Sequence, residues 1–295
     1  MNAQRLQGVI FCLLALLCVF TTLALGRFSA QSELIVLAAL IVILGIPHGA
    51  FDTLFAYRLY GIRSLWEWLA FGVVYLLLAA LVVGLWKLTP VLFLIAFLLI
   101  SVAHFSGDPA AGTPLVSRIF YAGAVIAFPS FQYETEITHL FAQLVGQAAA
   151  QTVVSGLAWL AWPWSIGLVL AIFERLRNDW LTALEMTSVG MLSLLAPPLF
   201  SFTVFFCGMH SARHIIRAFI YSGRSSLRFL LVSAFLPMLG VALASAVAWH
   251  YLKETPLDVR ILQIVFVGLA ALTVPHMVLV ERVRLSGWIK GSANS

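Results

Sequence analysis

The sequence predicts an all-α membrane protein, a polytopic bundle of about ten transmembrane helices with both termini on the cytoplasmic side. Three observations predict it. Of 295 residues, 62% are hydrophobic and only 10% charged, where a soluble domain carries about 25% charged residues. Mean hydropathy is +1.02. The apolar residues fall into runs of the ~17–25 residues that cross a bilayer as a helix. The net charge of +5 calls for no nucleic-acid partner, because excess Lys and Arg in a membrane protein marks cytoplasmic loops.

Taken in order, the runs are 7–26, 34–57, 66–86, 90–106, 117–131, 154–173, 180–197, 201–221, 229–251 and 260–281. The first follows Arg5 and precedes small residues at Ser29 and Ala30, as a secretory signal would. Its apolar stretch outruns the ~7–15 residues of a cleaved signal, so it reads as an uncleaved span. The fourth and fifth runs are short. Residues 132–153 hold Glu134, Glu136 and His139 and no Lys or Arg; they read as an amphipathic helix at the outer interface. Trp159, Trp162 and Trp164 follow, as an aromatic belt would. No internal repeat or soluble domain appears. Residues 1–290 read as one integral membrane domain and 291–295 as a disordered tail.

Orientation follows from the cations. With the N-terminus inside, the inner segments hold eleven: Arg5, Arg58, Arg63, Arg118, Arg175, Arg177, Arg224, Arg228, Arg282, Arg284 and Lys290. The outer segments hold four: Arg27, Lys87, Lys253 and Arg260. This bias favours N-in and C-in, an even number of spans (eight would keep the same orientation), and the inner cell membrane. Cys12, Cys18 and Cys207 lie in apolar runs without CxxC spacing and read as small buried hydrophobes.

Seven histidines carry the chemistry. His139 and His250 fall at outer, wettable positions. His48, His104, His210, His214 and His276 fall on the second, fourth, eighth and tenth runs. All four of these helices run from outside to inside, which places each histidine in the inner half at similar depth. Imidazole in a bilayer needs a partner. One such histidine is explained by a hydrogen bond between helices; five at one depth point to a shared metal or proton site. Asp52 and Asp108 each follow a histidine by four residues, the spacing of one helix face. A carboxylate there can hold a ligand's free N–H or bind the metal itself; Asp108, close to the membrane boundary, reads equally as a solvated loop residue. Donors of nitrogen and oxygen suit Fe, Zn, Mn or Cu and choose none of them. Phe51, Phe105, Phe206, Met209 and Met277 sit beside these positions and can line a tunnel for a long apolar ligand, although packing or lipid contact explains any one of them. Arg213, about 100° round the helix from His214, is expected to face another helix, an acidic partner or the inner interface, and not the metal.

The stretches Gly45-Ile46-Pro47-His48-Gly49-Ala50-Phe51-Asp52, His104-Phe105-Ser106-Gly107-Asp108, His210-Ser211-Ala212-Arg213-His214 and Val274-Pro275-His276-Met277 resemble the Brp/Blh family of microbial membrane β-carotene 15,15′-dioxygenases. The resemblance runs from about 45 to 281. It implies oxidative cleavage of the central double bond of β-carotene by O2 at non-haem Fe(2+), giving two molecules of retinal, with a rhodopsin as a recipient. It implies His48, His104, His210 and His214 as iron ligands, and His276 as a fifth ligand or a supporting group.

Two other classes remain open on the sequence. A haem or di-iron oxidoreductase can use several intramembrane histidines, although a same-helix pair at 210 and 214 suits haem poorly. A metal- or proton-coupled transporter also places His and Asp in its spans, but such proteins often show two related halves. An intramembrane zinc protease lacks its H-E-x-x-H here.

Overall fold

The computed structural model describes residues 2–26, 29–223 and 227–283. The tail predicted at 291–295 lies outside them, as do Arg27, Arg224, Arg284 and Lys290. Among the described residues every regular element is a helix. Helix α1 spans Ala3–Leu25. Helix α2 (Ala30–Leu40) passes through a π-helical turn, Ile41–Gly45, into α3 (Ile46–Ala50) and α4 (Asp52–Tyr60). There follow α5 (Leu65–Leu88), α6 (Pro90–Phe105), α7 (Leu115–Ala127), α8 (Pro129–Gln132) and α9 (Glu134–Val145). Then come α10 (Gln147–Asn178) and α11 (Trp180–Leu195). Helix α12 (Pro198–Val204) runs through a second π stretch, Phe205–Ser211, into α13 (Ala212–Tyr221). Helices α14 (Leu227–Tyr251) and α15 (Leu257–Arg282) complete the bundle.

All ten predicted runs are helical. Among the described residues, seven helical stretches are long and apolar enough to cross a membrane, while α6 and α11 are apolar but shorter. The eighth run is broken by its π stretch and carries Arg213 and Arg217. The count of ten therefore rests on three short or interrupted helices beyond the seven.

Residues assigned to one side of the membrane meet in the fold. On the predicted inner side, Arg58 donates to the carbonyls of Tyr221 (2.8 Å) and Ser222 (2.5 Å), and Arg5 approaches Asp179 at 3.7 Å. On the predicted outer side, Trp86 Nε1 donates to Leu144 O and Gln263 Nε2 to Gln143 O, at 2.9 and 2.8 Å. These pairings join ends that the predicted topology places on the same side.

Helix α9 forms in the segment read as amphipathic. It buries Ile137, Thr138 and Leu144 and leaves Glu134 and His139 exposed. Trp159 and Trp162 face outward, as a belt requires, but Trp164 packs inward. Gly123 on α7 makes room for its ring, and Gly167 on α10 does the same for Phe120; a Cβ at either glycine would overlap those rings. Small residues let apolar helices close this tightly where no water drives them together. All three cysteines are free and buried, as read.

Candidate metal centre

The five histidines of the predicted inner layer converge. His48, His104, His210, His214 and His276 are all buried. His48 has ring centroids at 5.2 Å from His210, 5.4 Å from His214 and 5.3 Å from His276. His104 lies 4.4 Å from His210 and 5.1 Å from His276, and His214 lies 4.9 Å from His276. One ring nitrogen from each of His48, His104 and His276 lies within 4.8 Å of the others. His139 and His250 are exposed and stand apart.

The backbone bends to bring these rings together. Pro47 lacks an N–H, so the α-helical ladder cannot run through it. The chain turns π-helical over Ile41–Gly45 just before His48, then breaks at Phe51 (φ −75°, ψ 0°). The second π stretch contains His210 itself. A π turn bonds i to i+5 and inserts a residue, which re-aims the side chains after it. Gly45 lies against the Phe206 ring, where a Cβ would come within 2.9 Å of Cε1. The two π stretches therefore touch through a glycine and a phenylalanine.

The two carboxylates serve other histidines than their spacing suggests. Asp108 accepts from His210 Nδ1, at 3.0 and 3.1 Å to its two oxygens. Asp52 accepts from His276 Nδ1 at 2.7 Å and from the Tyr75 hydroxyl at 2.9 Å. His48 Nδ1 donates to Gly45 O, with Ser211 Oγ 3.1 Å away. Each of these bonds uses the Nδ1 proton and leaves Nε2 as a lone pair aimed into the cluster. Asp52 and Asp108 thus hold ligands from behind across helices, rather than pairing with His48 and His104 along one face.

An outer frame holds Asp108 in turn. Helix α6 ends at Phe105, leaving carbonyls that need donors. Arg118 Nε donates to Ser106 O at 2.5 Å. Arg217 donates to Gly107 O at 2.5 Å and Asp108 O at 2.9 Å, and Arg213 donates to Asp108 O at 3.0 Å. Arg213 also forms a two-pronged pair with buried Glu185, at 2.9 and 2.5 Å, the acidic partner its helical position called for. Gln7 completes the frame: its carbonyl accepts from Arg213 Nε at 2.9 Å and its amide donates to Gly208 O at 2.8 Å. Glu185, Gln7 and Tyr75 are absent from the reading of the sequence, where Ser211 stands in a motif without a role of its own. Glu185 alone carried a signal there, as an ionisable residue inside an apolar run.

The donor set fits a metal ion. His210 Nε2 and His104 Nε2 stand 2.9 Å apart, and two imidazole nitrogens bound to one metal at about 2.1 Å stand about 3 Å apart. His214 Nε2 and His276 Nε2 are buried without a hydrogen-bond partner. Buried imidazole nitrogens without a partner are costly, and a cation is the partner they lack.

The sequence matches the family model for beta-carotene 15,15′-dioxygenase over residues 39–283. The chain belongs to that family. It is 32% identical over 255 residues to the beta-carotene 15,15′-dioxygenase of uncultured marine bacterium 66A03, a match covering 82% of this chain and 91% of that protein. It is 27% identical over 286 residues to the probable beta-carotene 15,15′-dioxygenase Blh of Halobacterium salinarum, covering 83% of this chain and 82% of the relative. No solved structure matches.

The apolar residues singled out in this dioxygenase divide. Phe105 and Phe206 flank the cluster: Phe105 lies 4.9 Å from the His210 ring, and Phe206 lies 5.5 Å from both His48 and His210. Phe51 packs in a separate apolar cluster with Leu54 and Phe55. Met209 points to α1, where its sulfur lies 3.7 Å from Gln7 Nε2. Met277 is half-buried.

Proposed function

We propose that this family member cleaves the central 15,15′ double bond of β-carotene with O2, giving two molecules of retinal, at a single iron(II) ion. The observation that carries the reading is the convergence of five buried histidines, two of them held by carboxylates, in a chain of this family. His48, His104, His210 and His214 are the proposed iron ligands. His276 joins them as the fifth, because Asp52 orients it and its Nε2 is unpartnered.

Iron(II) there supplies the activation of O2. The chain supplies the rest. Asp108, Asp52 and Gly45 O keep the Nδ1 protons of His210, His276 and His48 and so fix which nitrogen of each ring faces inward. The imidazoles are neutral, so the two buried carboxylates balance a divalent ion, and the centre as a whole carries little charge into the bilayer. Phe105 and Phe206 wall the cluster against water, which protects an oxidising site from side reactions. An apolar substrate enters from lipid, and retinal leaves by the same medium to a rhodopsin. We place it in the inner cell membrane, with both termini inside as the cation bias favours.

Expression in cells that make β-carotene, followed by extraction and chromatography, tests the activity; metal analysis of the purified protein tests the ion. Retinal with about one iron per chain is expected. Folded, iron-loaded protein that leaves β-carotene intact overturns the proposal.

A further inference from the structure

Helix α5 faces outward along most of its length, yet it sends one polar group to the histidine cluster. It packs on α15, the helix of His276, and Tyr75 is half-buried on it. The Tyr75 ring lies 5.8 Å from that of Phe71, and both pack on the apolar cluster of Phe51, Leu54 and Phe55. A phenylalanine would serve that packing equally. The hydroxyl adds a bond: it donates to Asp52 Oδ2 at 2.9 Å, while Asp52 Oδ1 accepts from His276 Nδ1 at 2.7 Å.

The two carboxylates behind the cluster are therefore held in different ways. Asp108 gives both oxygens to His210, and Arg213 and Arg217 grip its main-chain carbonyl. Asp52 has no such frame. It opens α4 directly after the break at Phe51, and its side chain makes no cap bond. Among the described residues no Lys or Arg pairs with its carboxylate. The end torsion of an Asp is broad and two-fold, so a single bond to His276 leaves the carboxylate free to swing. The second bond, from Tyr75, stops it. A phenol is also a neutral donor: it fixes the carboxylate without cancelling the charge that His276 leans on.

We infer that Tyr75 is a positioning residue of the metal centre, acting through Asp52 to keep His276 Nε2 aimed into the cluster. The inference rests on the reading of the cluster as an iron centre with His276 among its ligands. His276 is well placed to matter. Its ring lies 5.3 Å from His48, 5.1 Å from His104 and 4.9 Å from His214, and its Nε2 is buried without a hydrogen-bond partner. A side chain on an otherwise lipid-facing helix thus governs a ligand that it never touches.

The test measures iron(II) affinity of the purified full chain by competition with a chelator. Tyr75→Phe is expected to lower it roughly tenfold, as loss of a group behind a ligand does. Phe71→Leu, which alters only the packing, is expected to leave it unchanged. Asp52→Leu removes the group through which Tyr75 acts, so adding Tyr75→Phe to it is expected to cost nothing more. Adding Tyr75→Phe to Asp108→Asn is expected to multiply the two losses, because those sites share no partner. Wild-type affinity in Tyr75→Phe, an equal loss in Phe71→Leu, or a further tenfold loss on the Asp52→Leu background overturns the inference. Should Asp52→Leu not accumulate in membranes, the electron paramagnetic resonance spectrum of the nitric oxide adduct of the iron(II) protein reads the same point. It is expected to differ from wild type in Tyr75→Phe and to match it in Phe71→Leu; a wild-type spectrum in Tyr75→Phe overturns the inference. Wild-type protein that binds no iron sinks the functional reading as well; wild-type iron binding with an unaffected Tyr75→Phe sinks only this one.

Discussion

Helix α5 and the segment 198–221 are of similar length and lie in the same bundle, yet they are built on different rules. Helix α5 is regular throughout, opens with a Ser64–Glu67 capping box, and buries only Val82. Trp66, Leu69, Val73, Leu76, Leu77 and Leu81 face outward. Its stability comes from backbone bonds closed within one helix and from apolar side chains in an apolar solvent. The segment 198–221 is interrupted by a seven-residue π stretch and buries His210, Ser211, Arg213 and His214. His210 is held by Asp108, Ser211 lies against His48 and Arg213 pairs with Glu185, while the His214 ring lies 4.9 Å from that of His276. In a membrane, regular helix is the default, and departures from it mark where side chains must be aimed rather than merely buried.

That contrast can be broken in order of size. His210→Ala and His214→Ala are each expected to abolish cleavage and to lower bound iron, read by retinal yield and metal analysis. Wild-type activity in both would remove the segment from the centre. Next, Arg213→Met leaves Glu185 buried and uncompensated, at a cost of about 3–5 kcal/mol. A large drop in thermal stability is expected in detergent, and an unchanged midpoint would show that the pair is not formed. Asp108→Asn and Asp52→Asn keep shape but weaken the hold on His210 and His276. Iron affinity is expected to fall ~10–100-fold by competition with a chelator, with the fold retained. Smallest of all, Leu77→Val on α5 is expected to leave stability, iron content and turnover unchanged; a measurable loss there would mean that this face meets protein rather than lipid.

Much of this was legible in the sequence, and the failures have a common cause. Hydropathy runs located every described helix but α9, which was read from its amphipathic composition, and the five histidines announced one layer, because length and polarity in lipid are local properties. The i, i+4 argument linked Asp52 to His48 and Asp108 to His104, and the structure links them instead to His276 and His210. That argument presumes unbroken α-helix. Between His48 and Asp52 the chain breaks at Phe51, and between His104 and Asp108 the helix has already ended at Phe105. Arg213 obeyed the helical angle and found Glu185, while Gln7 and Tyr75 were invisible because only tertiary packing chooses their partners. An apolar cavity walled by Leu94, Val125, Pro129, Leu140, Leu199 and Leu262 was missed for the same reason: it belongs to six helices and to no single motif.

The spread of the ligands along the chain has a consequence for biosynthesis. His48 lies on the early part of the chain and His276 on the last described helix, so the histidine cluster draws on contacts separated by more than 200 residues, as the His276–Asp52 bond at a separation of 224 shows. Contacts so distant form late, after the intervening chain has been made and inserted. On the proposed reading, metal would therefore be loaded only after α15 is in place, and a ribosome stalled before α15 would leave the histidine cluster without His276.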